Sequence, residues 1–360
     1  MSLIYKEDWD QAKERYRAWW AHEYFGRCAL AVTAPRSKPL PAREPERPAT
    51  PEEFWMNLEY RSARAEYQHA RTFYGGEDFP VWDYCYPGHM TIWTFLGCPV
   101  QLNFDTGWVD PILTGESIAY RSLRLDEGNR YWQQALSWLR RGARDARGRS
   151  IPAVGAFGGG GDSLAGLRGT DRLLLDVMDR PEEVREAELH FMDMWCVMYD
   201  RFYEITREAA EGSTCWFELW SPGKFYATQN DFAYMISPPM FRELFLPAIE
   251  RQTRFLDHAV HHVDGVGNFA HVDALCELPR LQALQILPGA GKPSPLHYLD
   301  VLKKVQAAGK NLHISIKAEE VRTALEQLSA RGLFIATRCE TEDQARALLV
   351  NAEKWSRDRG

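Results

Sequence analysis

Residues 7–24 mix aromatic and charged positions at helical spacing, which predicts a helix, and Cys28-Ala-Leu-Ala-Val-Thr-Ala34 is a short apolar run that predicts a buried strand. From Pro35 to Pro51 prolines and charges recur, so this stretch is loop, because proline cannot sit inside a regular ladder. A helix follows over about 52–73, and Pro80-Val-Trp-Asp-Tyr-Cys-Tyr-Pro87 is an extended aromatic run. Six further apolar runs predict strands at 151–156, 215–219, 259–263, 284–287, 312–316 and 333–337. Helix signals stand between them. Asp179-Arg-Pro-Glu-Glu combines a capping Asp, an early Pro and first-turn acids, and Ser237-Pro-Pro opens another helix. Val321, Ala324, Leu325 and Leu328 follow the i, i+3, i+4, i+7 rule, and Thr341 with Gln344 makes a capping box.

With both N-terminal runs counted, eight strands alternate with helices, a pattern that buries a parallel sheet under helices. The expected fold is therefore α/β, a (β/α)8 TIM barrel with an N-terminal helical extension, spanning 1–360 as one domain with its N-terminal helix and Pro-rich loop at about 1–55. A doubly wound open sheet is the rival, and the dinucleotide fingerprint it often carries is missing. No internal repeat and no interdomain linker stands out.

Composition narrows the function classes. The 360 residues hold 43 Lys+Arg against 50 Asp+Glu, a net charge of −7, without the basic tract expected of a nucleic-acid binder. Aromatic content of 12% argues against a disordered chain and exceeds what packing alone usually asks for. No apolar run reaches the roughly 18 residues that span a bilayer, and Met1 to Asp10 lacks a signal-peptide core. The seven cysteines are scattered and odd in number, which points to a reducing, cytoplasmic setting rather than a disulfide framework.

In a barrel the chemistry sits at the C-terminal ends of strands. There the chain places His261-His262-Val-Asp264-Gly265, Arg338-Cys339-Glu340, Glu218 with Trp220 and Ser221, Pro288-Gly289 and Lys317. His262 and Asp264, two apart, can point to one side of the strand and are good donors for a divalent metal. Cys339 joins them only if the barrel closes, and then three ligands with one open position would suit a catalytic zinc. The plainer alternatives stand beside this: a His-x-Asp pair is common, and a single Cys is more often a buried apolar residue. Glu218 is a candidate acid/base or fourth ligand, equally a strand-end carboxylate in a salt bridge, and Lys317 has the same ambiguity.

Trp82, Tyr84 and Tyr86 alternate onto one face, with Asp83 and Cys85 on the other. Together with His89, Trp93 and Trp108 these residues are candidates to wall a pocket mouth, where aromatic faces would suit flat or methylated ligands. Packing at the barrel ends is their plainer role. Gly159 and Gly160, within Gly158–Gly161, lack the P-loop Lys and the Rossmann spacing and read best as a close-approach loop at the cleft.

Several segments together resemble the uroporphyrinogen decarboxylase superfamily: Leu164-Ala-Gly-Leu-Arg-Gly-Thr-Asp-Arg-Leu-Leu-Leu-Asp176, Asp179-Arg-Pro-Glu-Glu-Val184, Gln229-Asn-Asp-Phe-Ala-Tyr-Met-Ile-Ser-Pro-Pro-Met-Phe-Arg-Glu243 and His262-Val-Asp-Gly265. The likeness covers about residues 80–350 and implies a TIM barrel with its cleft at the strand C-termini. The superfamily includes zinc-dependent methyltransferases that move methyl groups between corrinoid proteins and thiols, with a metal motif His-x-Cys-Gly plus a C-terminal Cys. By resemblance His262 matches the His, Asp264 the first Cys and Cys339 the last. The Cys-to-Asp departure makes the site harder and less electron-rich. The decarboxylase itself carries an N-terminal Arg-Gln-Ala-Gly-Arg-Tyr segment that holds an acidic tetrapyrrole, and the region here reads Arg27-Cys-Ala-Leu-Ala-Val-Thr-Ala-Pro-Arg36.

The resemblance thus implies a methyltransferase that acts on a small methylated substrate, with zinc on His262, Asp264 and Cys339. Any cobalamin would arrive on a separate corrinoid protein, and a homodimer is compatible. The alternatives are a metal-independent decarboxylase or lyase using Asp83, Asp264 and Lys317, and a non-catalytic small-molecule-binding barrel.

Overall fold

The computed structural model describes residues 3–83, 91–217 and 219–359. Its strands, in chain order, are β1 (Ala29–Pro35), β2 (Thr72–Gly76), β3 (Val81–Trp82), β4 (Val100–Leu102), β5 (Gly107–Val109), β6 (Ile151–Pro152), β7 (Phe225–Gln229), β8 (His258–Asp264), β9 (Ala283–Leu287), β10 (Asn311–Ser315) and β11 (Leu333–Arg338). Seven of them form one sheet in the order β2-β1-β11-β10-β9-β8-β7. Every pairing from β1 round to β7 is parallel, and β2 runs antiparallel on the outer side of β1. β3 pairs with β6 in a separate two-stranded sheet, and β4 with β5 forms a hairpin. The protein is therefore a mixed α/β fold. Among the described residues the seven-stranded sheet does not close on itself, so the eight-stranded barrel expected from the sequence is not what the hydrogen-bonded ladder displays.

The predicted runs at 28–34, 259–263, 284–287, 312–316 and 333–337 lie on β1, β8, β9, β10 and β11. Apolar runs of this length, flanked by helices, are buried on both faces of a parallel sheet. Three expectations need correction. The helix over 52–73 breaks at Asn57, whose side chain accepts from the Tyr60 N–H at 3.0 Å and starts a second helix, Leu58–Arg71; the next five residues are strand β2. The run 215–219 is not a strand in its described part: Cys215, Trp216, Phe217 and Leu219 lie before the real strand β7. Ser213 and Ser221 exchange backbone hydrogen bonds at 2.9 and 3.0 Å, which turns the run back on itself. Gly212 permits that turn, because a Cβ there would lie 2.0 Å from the Ser221 carbonyl oxygen. Finally, Asp179 ends the helix Thr170–Asp179, and Arg180, not Asp179, stands at the cap of Pro181–Ala210. Ser237 and the Thr341–Gln344 box do cap their helices.

The N-terminal helix Trp9–Trp20 seals the end of the sheet where the parallel strands begin. Trp19 donates its indole N–H to the Gly332 carbonyl at 2.9 Å, just ahead of β11. Trp20 donates to the Trp220 carbonyl at 2.9 Å, and Asn311, which opens β10, donates to the Trp19 carbonyl at 2.6 Å. Trp9, Tyr16, Phe79 and Trp220 pack ring against ring in that layer. Burying such rings stabilises by roughly 2 kcal/mol or more each, so much of the aromatic surplus is core here. Glu77, fully buried, is neutralised by Arg27 through two 2.8 Å bonds and by Arg15. With the opposite end left open, the C-terminal ends of the strands are where a ligand can enter. No helix among the described residues is long and apolar enough to cross a membrane.

Candidate functional site

Strand β8 carries His261-His262-Val263-Asp264 and is followed by Gly265, whose φ of +85° turns the chain away. Alternation puts His262 and Asp264 on one face and His261 on the other. His261 is buried, contacts the Thr228 hydroxyl through Nδ1 at 2.8 Å, and has its pKa pushed down to about 3 by burial, with His262 and His271 adding to the effect.

His262 instead faces a cavity of about 300 Å³. Thr33 of β1, Gln285 of β9, His313 of β10 and Ala336 of β11 line it, with Trp216 and Phe217 reaching in from the turn before β7. The Trp216 ring meets His262 edge-on at 5.2 Å between centroids, and Phe217 lies 4.8 Å from His313. His262 Nδ1 bonds to Gln285 Oε1, and Gln285 Nε2 lies 3.2 Å from His313 Nδ1. Because an amide oxygen only accepts, His262 carries its proton on Nδ1 and presents Nε2 as a free lone pair. That Nε2 stands 3.8 Å from Asp264 Oδ2. Burial pulls the His262 pKa below the usual value, opposed by Gln285, Asp264 and Asp162. His313, fully enclosed, is pushed down to about 3 by burial first and His262 second.

Asp162 and Asp264 act on this imidazole, and two further carboxyl groups, Asp231 and Glu188, adjoin Asp162. Asp162, at the start of helix Gly161–Arg168, accepts the Phe232 N–H at 2.9 Å and the Gln229 side-chain N–H at 3.0 Å, yet burial leaves its pKa above the normal range. Asp231, just past β7, is raised to about 7 by desolvation and by the carboxylates of Asp162 and Asp264. Glu188, on helix Pro181–Ala210 and 2% exposed, is raised to about 8 by burial and Asp162. Asp264 Oδ1, Glu188 Oε1 and both polar atoms of Asn230 are buried with no hydrogen-bond partner among the described residues. Sequence reading passed over Asp162, Asp231, Gln285 and His313. Asp162 follows the glycine run and Asp231 lies inside the Gln229–Glu243 segment, so a motif did mark their neighbourhood.

The remaining predicted residues are dispersed. Gly159 and Gly160 adopt φ of +140° and +65°, and a Cβ on Gly160 would lie 2.3 Å from the Gln229 carbonyl, so the loop is a close backbone approach to the end of β7. Trp93 donates its indole N–H to the Ser163 carbonyl at 2.8 Å and lies flat against Gly166. Trp82 does not line the His262 cavity; it is buried against Gly142 of helix Arg130–Asp145. Asp83 is half-buried, its carbonyl accepting from Arg61 at 3.3 Å, and Trp108 is 58% exposed on the β4–β5 hairpin. Neither lines that cavity. Lys317 is exposed beyond β10 and also stands outside it. Tyr84, Tyr86, His89 and Glu218 lie outside the described residues.

As a metal set, His262 and Asp264 fit as a pair: Nε2 is unprotonated, its partner nitrogen is held by Gln285, and Asp264 has a buried oxygen without a partner. Cys339 does not complete them. Burial pushes its thiol pKa up, against the thiolate expected from a nearby helix start. No group of three or more His, Cys, Asp or Glu side chains among the described residues is arranged to hold a metal ion.

No family model and no curated protein matches the chain. Among solved structures, its fold is similar to that of a methyltransferase from Methanosarcina mazei, with a TM-score of 0.62 over 95% of this chain and 98% of the other, at 12% sequence identity. What the two share at that identity is the fold.

Proposed function

We propose that the chain is a methyltransferase-like enzyme on a (β/α)8 barrel, with His262 at its reacting centre and a small methylated substrate in the adjoining cavity. The barrel reading draws on links outside the main sheet: Ala153 N–H to the Trp82 carbonyl at 2.9 Å and Val154 N–H to the Thr214 carbonyl at 3.0 Å bring 81–82, 151–154 and 214 side by side, bridging from β3 towards β7. The observation that carries the function is the His262 imidazole on the cavity wall, locked in one tautomer by Gln285, with Asp264 3.8 Å from its Nε2.

Methyl transfer is a displacement at carbon. It needs an activated nucleophile and a leaving heteroatom that gains a proton or an equivalent positive charge. A cobalt(I) acceptor brings no proton to remove, so the proton to be handled is the one the leaving heteroatom gains, and His262 Nε2 can take up a proton beside Asp264 and pass it to that atom. Asp264, whose Oδ2 lies 3.8 Å from Nε2, supports the positive charge on His262 while it holds that proton. The apolar rings of Trp216 and Phe217 exclude water from that exchange. If His262 Nε2 and Asp264 held a zinc ion instead of that proton, the ion would supply Lewis-acid polarisation of the heteroatom. The methyl acceptor in this proposal is a separate corrinoid protein.

The test incubates the full chain with methylated amines, thioethers and methyl ethers and free cob(I)alamin as acceptor, following methylcobalamin by absorbance. Zinc content of protein purified without chelator is measured in parallel. The expected result is turnover that falls at least a hundredfold in His262→Ala. Equal turnover in that variant, or carbon dioxide release from an acid without methyl transfer, overturns the reading.

A further inference from the structure

The His262 cavity is not the larger space at this end of the sheet. A second cavity of about 550 Å³ adjoins it, and Thr33 and Asp78 line both. Two arginines line it, both exposed: Arg338 at the end of β11 and Arg71 at the end of helix Leu58–Arg71. Phe334, Ala336 and Arg338 share one face of β11 by alternation, and the first two line the His262 cavity, so Arg338 stands one step further out along the same wall. Thr33, its partner in the β1–β11 register, is the residue common to both spaces.

Neither arginine forms an ion pair with a described residue, although the chain has many such pairs elsewhere. Arg71 is held over the Tyr67 ring at 3.9 Å, which orients its guanidinium without neutralising it. The carboxylate on this wall, Asp78, is 8% exposed and accepts the Phe79 N–H at 2.9 Å. The outer cavity is thus a cationic compartment joined to the chamber of an uncharged imidazole. Guanidinium groups hold carboxylate and phosphate oxygens in a planar fork, so two of them on one wall form a receiver for such an anion.

We infer that the substrate is anionic: a carboxylate or phosphate group is held by Arg338 and Arg71 in the outer cavity, while the reacting end passes Thr33 and Asp78 to reach His262. The assignment of the reacting end rests on the proposed function; the anion site does not.

The test titrates inorganic phosphate and, separately, acetate into the full chain at constant ionic strength, by calorimetry. Wild type is compared with Arg338→Gln, Arg71→Gln, Arg338→Lys and the surface control Arg322→Gln. Expected is saturable binding of at least one anion to wild type and Arg322→Gln, weakened tenfold or more in Arg338→Gln and in Arg71→Gln and partly restored in Arg338→Lys. Phosphate alone identifies a phosphate-bearing substrate, and acetate binding identifies a carboxylate. No saturable binding to wild type, or equal binding in all variants, overturns the inference. His262→Ala separates the two claims. Anion affinity is unchanged in it whether or not turnover is lost, so retained turnover there removes the reacting-centre reading and leaves the anion site standing.

Discussion

His262 and Gln285 face each other across the parallel register of β8 and β9, and their side chains join through Nδ1 and Oε1. The amide thereby decides which nitrogen of the imidazole is left open to the cavity. In Gln285→Leu that constraint is gone, and burial, no longer opposed by the hydrogen bond, takes the His262 pKa lower still. Turnover is expected to fall by about 10- to 100-fold with folding intact. Nitrogen chemical shifts of His262 should move from one tautomer to a mixture; unchanged shifts would contradict the assignment.

Two neighbouring histidines make the fold sensitive to acid. His261 and His313 have pKa values pushed down to about 3 from 6.5 by burial. Below pH 6.5 the unfolded chain takes up protons that the native state refuses, so the stability these groups allow is complete above 6.5 and declines as pH falls towards 3. At pH 5 each accounts for about 2 kcal/mol. Urea unfolding at pH 7.5 and pH 5 should show this loss, and His313→Gln should reduce it.

Glu188 acts in the opposite sense. Its carboxyl titrates near 8 in the native state and at 4.5 when exposed. The native state keeps the proton between those values, so this group's contribution is complete below pH 4.5 and is lost as pH rises towards 8. Between pH 4.5 and 7 the loss is about 3 kcal/mol. Glu188→Gln cannot titrate. Its melting temperature should gain on wild type steadily as pH rises from 5 to 8, and a constant difference would show that the carboxyl ionises normally.

Gly160 packs its backbone against the end of β7, at φ of +65° with no room for a Cβ beside the Gln229 carbonyl. Gly160→Ala should cost about 2 kcal/mol or more and shift Asp162, whose helix starts at the next residue. Gly148→Ala also has positive φ but open space, so it should cost about 1 kcal/mol, a contrast that denaturation midpoints can resolve.

Sequence alone determined what depends on near neighbours. The apolar runs of β1 and of β8 to β11, the Thr341–Gln344 cap and the alternation that sets His262 and Asp264 on one face were all legible, because helix and strand periods are local properties. Tertiary structure decided the rest. Whether 215–219 or 225–229 became strand turned on a Ser213–Ser221 bridge that no periodicity encodes. Asp162 meets His262 from a distant segment, and Asp231 and Glu188 join it through Asp162. Proton affinity and cavity shape follow from burial and from the charges that folding brings near, and those are sums over the whole chain rather than properties of any stretch of it.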